Sequence, residues 1–350
     1  MPQATPTILV TGATGMLGSH LLWHLLRQGK NCRATKRRGS SFEQTDRIFR
    51  FYNDRLSRYA QQLEWVEADV LNPASMRQAM QGIDTVYHCA AVVSFADNPA
   101  QLLVVNIEGT RNTLDAALAT GIRRFCFVSS IAALDSSECK EIIDENCFGK
   151  EKTDSSPYSQ SKLAAEQLAR QAFERGLSGV VVNPGVILGY ALPGNGTMQL
   201  FYAVERGLPI YTLGGSGFVG VLDVCRAMQL LTESDVHNES FVLVSENLSN
   251  RELLNLIADS LGVHRPWIHG SRPLLMTLAT VMEFFGKITG KKALIDRGTA
   301  RTALKRSYYS AEKIKTQFEF EFTAIKDCVE KICAPIREAK EKRSSFAWNI

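Results

Sequence analysis

The chain has 350 residues, 45% of them hydrophobic, which is enough apolar material for one large core with a smaller appended lobe and too much for a disordered chain. Forty Lys and Arg against 36 Asp and Glu leave a formal charge of +4, too diffuse to make a nucleic-acid-binding surface. Eight cysteines, none in a Cys-x-x-Cys pair and most inside apolar runs, fit reduced thiols of a cytoplasmic protein better than a disulfide framework or a metal site.

A strand-like run at 7–10 begins so close to Met1 that no signal-peptide pattern precedes it. From there to Gly189, short β-rich runs at 7–10, 32–35, 63–67, 85–89, 125–129 and 179–183 alternate with helical patterns at 16–28, 73–80, 101–119 and 159–174. That alternation predicts an α/β fold, a doubly wound parallel sheet with helices on both faces. The stretch 42–62 spaces Phe42, Phe49, Tyr52, Leu56 and Tyr59 as one face and predicts a single inserted helix between the second and third strands.

Thr11-Gly12-Ala13-Thr14-Gly15-Met16-Leu17-Gly18 follows the first strand and opens the first helix. Glycines there allow a tight turn, a close approach of backbone to a pyrophosphate and close helix–strand packing, while the unpaired N–H groups of the helix start face the anion. Gly12, Thr14, Gly15, Met16, Leu17 and Gly18 are therefore the expected dinucleotide contacts, although the side chains of Met16 and Leu17, like Leu21 and Trp23, read as core. His20 and His24 share a face of this helix, but the helix packs on the sheet, so no metal site is expected. The second strand ends in Thr35-Lys36-Arg37-Arg38-Gly39-Ser40, with no carboxylate before Glu43 to accept from a ribose 2′-hydroxyl. Cations at that point suit a 2′-phosphate, so NADP(H) is preferred over NAD(H), with Arg37 leading and Lys36 or Arg38 assisting.

Further along, Asp144 and Glu145 have no evident partner and read as solvated. Tyr158-Ser159-Gln160-Ser161-Lys162 puts a phenol and an ammonium on one face of a helix. A phenol is a poor acid or base at neutral pH, and a nearby ammonium favours its phenolate, so this pair can move a proton while Lys162 also binds the cofactor ribose. Beyond Gly189 the chain turns to Gly and Pro punctuation, then predicts a helix at 252–261 stopped by Gly262 and an amphipathic helix at 324–342. The apolar stretch 273–286 is shorter than the roughly 20 residues a membrane span needs. It reads as a lobe helix, buried or covering either an apolar pocket or a membrane surface.

Thr11 with the Gly-x-x-Gly-x-x-Gly spacing resembles the extended short-chain dehydrogenase/reductase superfamily of NAD-dependent epimerase/dehydratase type. Ala68-Asp69-Val70, His88-Cys89-Ala90-Ala91, Asn106-Ile107-Glu108-Gly109-Thr110, Asn183-Pro184-Gly185 and the run 217–224 are similar to further motifs of that family. The resemblance implies adenine contacts at Asp69 and Val70, and cofactor contacts at Ala90, Ala91, Pro184, Val186, Tyr158 and Lys162. It also implies a catalytic trio of Tyr158, Lys162 and Ser130, with Ser129 the near alternative. It implies a Rossmann domain over 1–190 and, over 191–350, a mainly substrate-binding lobe from which some strands and helices return to the Rossmann core. Homodimerisation is a further possibility it raises.

Val128-Ser129-Ser130-Ile131, Arg33-Ala34-Thr35 and the tract 139–143 look most like the dihydroflavonol reductase and 3β-hydroxysteroid dehydrogenase branch. That implies NADP(H)-dependent reduction of a ketone or aldehyde, or oxidation of the matching alcohol. The alternatives are a nucleotide-sugar epimerase or reductase, for whose diphosphate Arg206, Arg272 and Arg301 could supply cations, and a cofactor-binding protein without turnover. Sugar dehydratases are disfavoured, because their Thr-Asp-Glu is absent at the active-site hydroxyl.

Overall fold

A computed structural model describes residues 7–93, 99–134, 142–149, 156–194, 196–275, 277 and 304–347. Six parallel strands, β1 (Ile8–Thr11), β2 (Cys32–Lys36), β3 (Leu63–Glu67), β4 (Thr85–His88), β5 (Arg124–Val128) and β6 (Gly179–Pro184), build most of the central sheet. The chain leaves it through β7 (Val186–Leu188), β8 (Ile210–Tyr211) and β9 (Gly215–Gly220), then returns as β10 (Glu239–Leu243) along the open edge of β6. The resulting order is β10-β6-β5-β4-β1-β2-β3, so the winding reverses between β1 and β4 and opens a crevice at their carboxyl ends.

Strand periodicity explains why both faces are covered. On β5, Cys126 and Val128 join one apolar core while Phe125 and Phe127 join the other; on β6, Val180 and Val182 part from Val181 in the same way. One face is closed by α1 (Met16–Arg27), which packs on α2 (Glu43–Phe51) and α7 (Val221–Glu233). The other is closed by α3 (Pro73–Ala79), α4 (Pro99–Thr120) and α5 (Pro157–Glu174), with α4 in the middle. Phe125 and Phe127 are almost wholly buried, each stabilising the fold by about 2 kcal/mol relative to exposure.

A third core joins α6 (Met198–Glu205), α8 (Asn250–Leu261) and α10 (Ile325–Ala347), with Met16 of α1 packed against it. Between α8 and α10 lie β12 (Ile268–His269) and α9 (Glu312–Phe318). A small sheet orders β11 (Glu246–Ser249), β9 and β7, and β8 pairs with β12. Helix α8 starts at a reciprocal cap between Ser249 and Glu252 and stops at Gly262, whose φ of 63° lies in the left-handed region. No described helix is long and apolar enough to cross a membrane.

Three expectations need correction. The single helix expected over 42–62 is α2 followed by a 3-10 turn at Leu56–Tyr59. Asn53 takes φ 55° and ends the helix, and Asp54 then accepts from the Arg55 N–H and the Tyr59 hydroxyl. Glu145 is not simply solvated: it accepts from the Val242 N–H on the edge strand β10, and burial raises its pKa. Its neighbour Asp144 caps the turn that follows by accepting from the Asn146 N–H. Cys147 is disulfide-bonded, whereas Cys32, Cys89, Cys126, Cys225, Cys328 and Cys333 are free thiols. Most of 273–286, together with 135–141 and Arg301, lies outside the described residues.

Candidate active site

Gly12 has φ 65°, and a Cβ there would stand 2.7 Å from the Ala90 backbone. A Cβ on Gly18 would stand 2.3 Å from the Gly12 carbonyl oxygen. Only hydrogen fits at either position, because the loop lies directly on the end of β4 and on its own helix. Gly15 begins α1 with no side-chain cap and no acidic residue in the first turn, so the first N–H groups of the helix are left for an anion. That arrangement fits a dinucleotide pyrophosphate. Gln44 steadies the loop from α2 by donating to the Thr14 carbonyl.

Around this loop the expected contacts are distributed unevenly. Leu17 packs on the sheet core and Met16 on the lobe core, so their side chains serve packing. Arg37 and Arg38 are exposed at the end of β2, and Lys36 lies over the Phe42 ring at 5.7 Å. Asp69 spends one carboxylate oxygen on the Leu71 N–H, and Val70 is wedged under Gly109, where a Cβ would meet its methyl at 2.7 Å. Ala90 and Ala91 follow β4 half-buried beside Gly12, and Pro184 ends β6 with half-buried Val186 just beyond it. His20 bonds Tyr52 and the Tyr190 carbonyl, while His24 bonds Gln229 and Gln28 through Nε2.

Tyr158, Ser130 and Lys162 meet at the carboxyl end of β5. Ser156 caps α5, Pro157 opens it, and Tyr158 stands in its first turn with Lys162 one turn on. The Ser130 hydroxyl lies beside the Tyr158 phenol and favours its charged form. Ser129 points elsewhere: its hydroxyl is buried with no partner among the described residues. Burial raises the phenol's pKa, and the neighbouring Ser130 hydroxyl opposes this only partly. The Lys162 ammonium donates to the Val128 carbonyl at 2.9 Å, and burial pushes its pKa down to about 8. Here the phenol keeps its proton, and the ammonium is turned to the strand end.

Two polar partners carry no assignment from sequence. Glu166, one turn beyond Lys162 and fully buried, accepts from Arg170 at 2.7 Å and from the Asn183 amide at 2.7 Å. Asn183 also donates to the Ser130 carbonyl, tying β6 to the serine. A carboxylate on the apolar face of α5 was the available signal, since such a group is kept inside only with partners. Asn106, buried on α4, binds both backbone groups of Val92 and donates to Ser161.

A profile of the NAD dependent epimerase/dehydratase family matches residues 8–243. The chain is 28% identical over 331 residues to a putative dihydroflavonol 4-reductase of Synechocystis sp., covering 91% of each. It is 30% identical over 266 residues to cinnamoyl-CoA reductase 1 of Oryza sativa subsp. japonica, covering 72% of this chain and 75% of the relative. The fold matches the crystal structure of UDP-glucose 4-epimerase from Thermotoga maritima with TM-score 0.73, over 95% of this chain and 99% of that one, at 18% identity.

Proposed function

The chain belongs to the NAD dependent epimerase/dehydratase family, and from that premise we propose that it is an NADP(H)-dependent reductase of a ketone or aldehyde, acting through Tyr158, Ser130 and Lys162. The observation that carries this reading is the placing of the Tyr158 phenol beside Ser130, one turn before the Lys162 ammonium that donates to the Val128 carbonyl, at the end of the sheet that also bears the anion-binding loop. When bound, the nicotinamide supplies the hydride that reaches the carbonyl carbon. Tyr158 gives its proton to the carbonyl oxygen as negative charge gathers there, and Ser130 donates a second hydrogen bond to the same oxygen. Lys162 offers a buried ammonium for the cofactor ribose and for the phenolate left behind. Glu166 and Asn183 hold the backbone from which Ser130 acts.

The cofactor choice rests on the end of β2. Arg37 and Arg38 are exposed, make no ion pair among the described residues, and can take a 2′-phosphate. Both relatives above are named as reductases, which supports net reduction. A nucleotide-sugar epimerase is the second reading, favoured by exposed Arg206 and Arg272 in the lobe. The test is a panel of aromatic and alicyclic carbonyl compounds run beside UDP-, GDP- and dTDP-sugars, with NADPH and NADH dissociation constants measured first. Tighter NADPH binding and turnover of a carbonyl compound are expected. Equal or tighter NADH binding sinks the cofactor choice, and conversion of a nucleotide sugar alone sinks the reductase.

A further inference from the structure

The oriented hydrogen bonds behind the site run from the phosphate loop to the helix that carries Tyr158. Thr110 spends its single hydroxyl proton on the Asn106 carbonyl at 2.7 Å, so its oxygen can only accept from His88 Nε2 at 3.3 Å. That fixes the proton on Nε2 of a neutral ring, and Nδ1 must accept from the Thr11 hydroxyl at 2.8 Å. The ring stays neutral at working pH because burial, and then the charge of Lys162, push its pKa down to about 3. On the far side, the Asn106 amide donates to Ser161 at 2.9 Å, and Ser161 donates to the Tyr158 carbonyl at 2.8 Å. Thr11, His88, Asn106, Thr110 and Ser161 are all buried. Every proton in this series points the same way, from β1 through β4 and α4 to the first turn of α5.

We infer that His88, Thr110, Asn106 and Ser161 are positioning residues that set the Tyr158 turn of α5 according to whether the phosphate loop is occupied. The inference rests on the reductase reading for the role of Tyr158, and its physical basis is satisfaction. Thr11, His88, Thr110 and Ser161 each have one proton to give and one acceptor for it, and Asn106 gives its two amide protons to Val92 and Ser161. A shift of Thr11 therefore breaks a buried bond unless its neighbours follow, and a broken buried bond costs about 1–3 kcal/mol. Thr11 is bound to move with the loop, because it precedes Gly12 and its hydroxyl accepts from the Ala90 N–H, against which Gly12 is packed. Thr113 provides an internal control. It is equally buried, on the same helix, but among the described residues its hydroxyl bonds only the Gly109 carbonyl of that helix.

The probe is ADP, whose pyrophosphate suits the loop but which lacks the nicotinamide ribose that would meet Lys162 directly. Amide hydrogen exchange of the segment 158–162 is measured with and without saturating ADP in the wild type, Thr110→Val, Thr110→Ser, Thr113→Val and Ser161→Ala. ADP is expected to slow exchange in the wild type, Thr110→Ser and Thr113→Val. In Thr110→Val and Ser161→Ala the slowing is lost, kcat falls about tenfold, and the NADPH dissociation constant stays within about threefold. Ser161→Ala, on another helix, carries the test if Thr110→Val does not fold. Unchanged slowing in the relay variants, or equal loss in Thr113→Val, overturns the relay while leaving the reductase reading intact. A wild type that binds neither ADP nor NADPH overturns both.

Discussion

At the scale of single residues, the phenol and the ammonium have separable duties. Tyr158→Phe removes only the transferable proton, so turnover should fall at least about a hundredfold while NADPH binding, followed by its fluorescence, is nearly unchanged. Lys162→Ala should weaken both. Near-native turnover in Tyr158→Phe would mean that another group supplies the proton. The Tyr-x-x-x-Lys spacing was legible because helical periodicity is local, and so was the basic end of β2. The contact of Lys162 with the Val128 carbonyl and the bonds joining Glu166 to Asn183 were not, because these partners are far apart in the chain. Ser130 was preferred to Ser129 through the family resemblance alone, since the local pattern offers both, and their difference turns on how the chain leaves β5.

At the scale of elements, boundaries came out where local chemistry is strong. The glycine stop of α8 and its apolar spacing marked that helix, and the Ser249–Glu252 cap fixes its first turn. Ser249→Ala should lower stability by about 1 kcal/mol, read from the denaturation midpoint with an unchanged slope. No loss would mean that packing alone starts the helix. Amphipathic spacing failed across 42–62, where Phe49 and Tyr59 do meet edge to face but from two elements joined at Asn53. The same side-chain pattern serves an unbroken helix and a broken one, and only the left-handed asparagine distinguishes them. Glu145 was missed for a similar reason: its partner is a backbone N–H of β10, which no side-chain pattern reveals.

At the scale of the whole molecule, strand order brings the phosphate loop after β1, the end of β4 and the serines after β5 to one crevice. The parallel sheet was legible from alternation and some return of the later chain to it was implied by the resemblance, while the strand that returns, β10, and the third core depend on long-range packing. The fold also stores neutral histidines. His20 and His88 have pKa values pushed down to about 4 and about 3 by burial, against 6.5 when exposed. The unfolded chain therefore binds more protons below pH 6.5, and stability contributed by these rings falls as pH drops from there towards 4 and then 3. His20→Gln should make the acid slope of the denaturation midpoint shallower than in the wild type; an identical slope would remove His20 from the account.

Net reduction is the claim on which the account turns, and cofactor balance tests it most directly. An epimerase takes a hydride and returns it, consuming no reduced cofactor, whereas a reductase spends one NADPH for each carbonyl group converted. NADPH deuterated at both C4 positions, supplied with the converted substrate, should give up one deuterium to the new carbinol carbon for each cofactor oxidised, and Tyr158→Phe should abolish the transfer. Substrate conversion by the wild type with no NADPH consumed and no deuterium in the product would contradict the account.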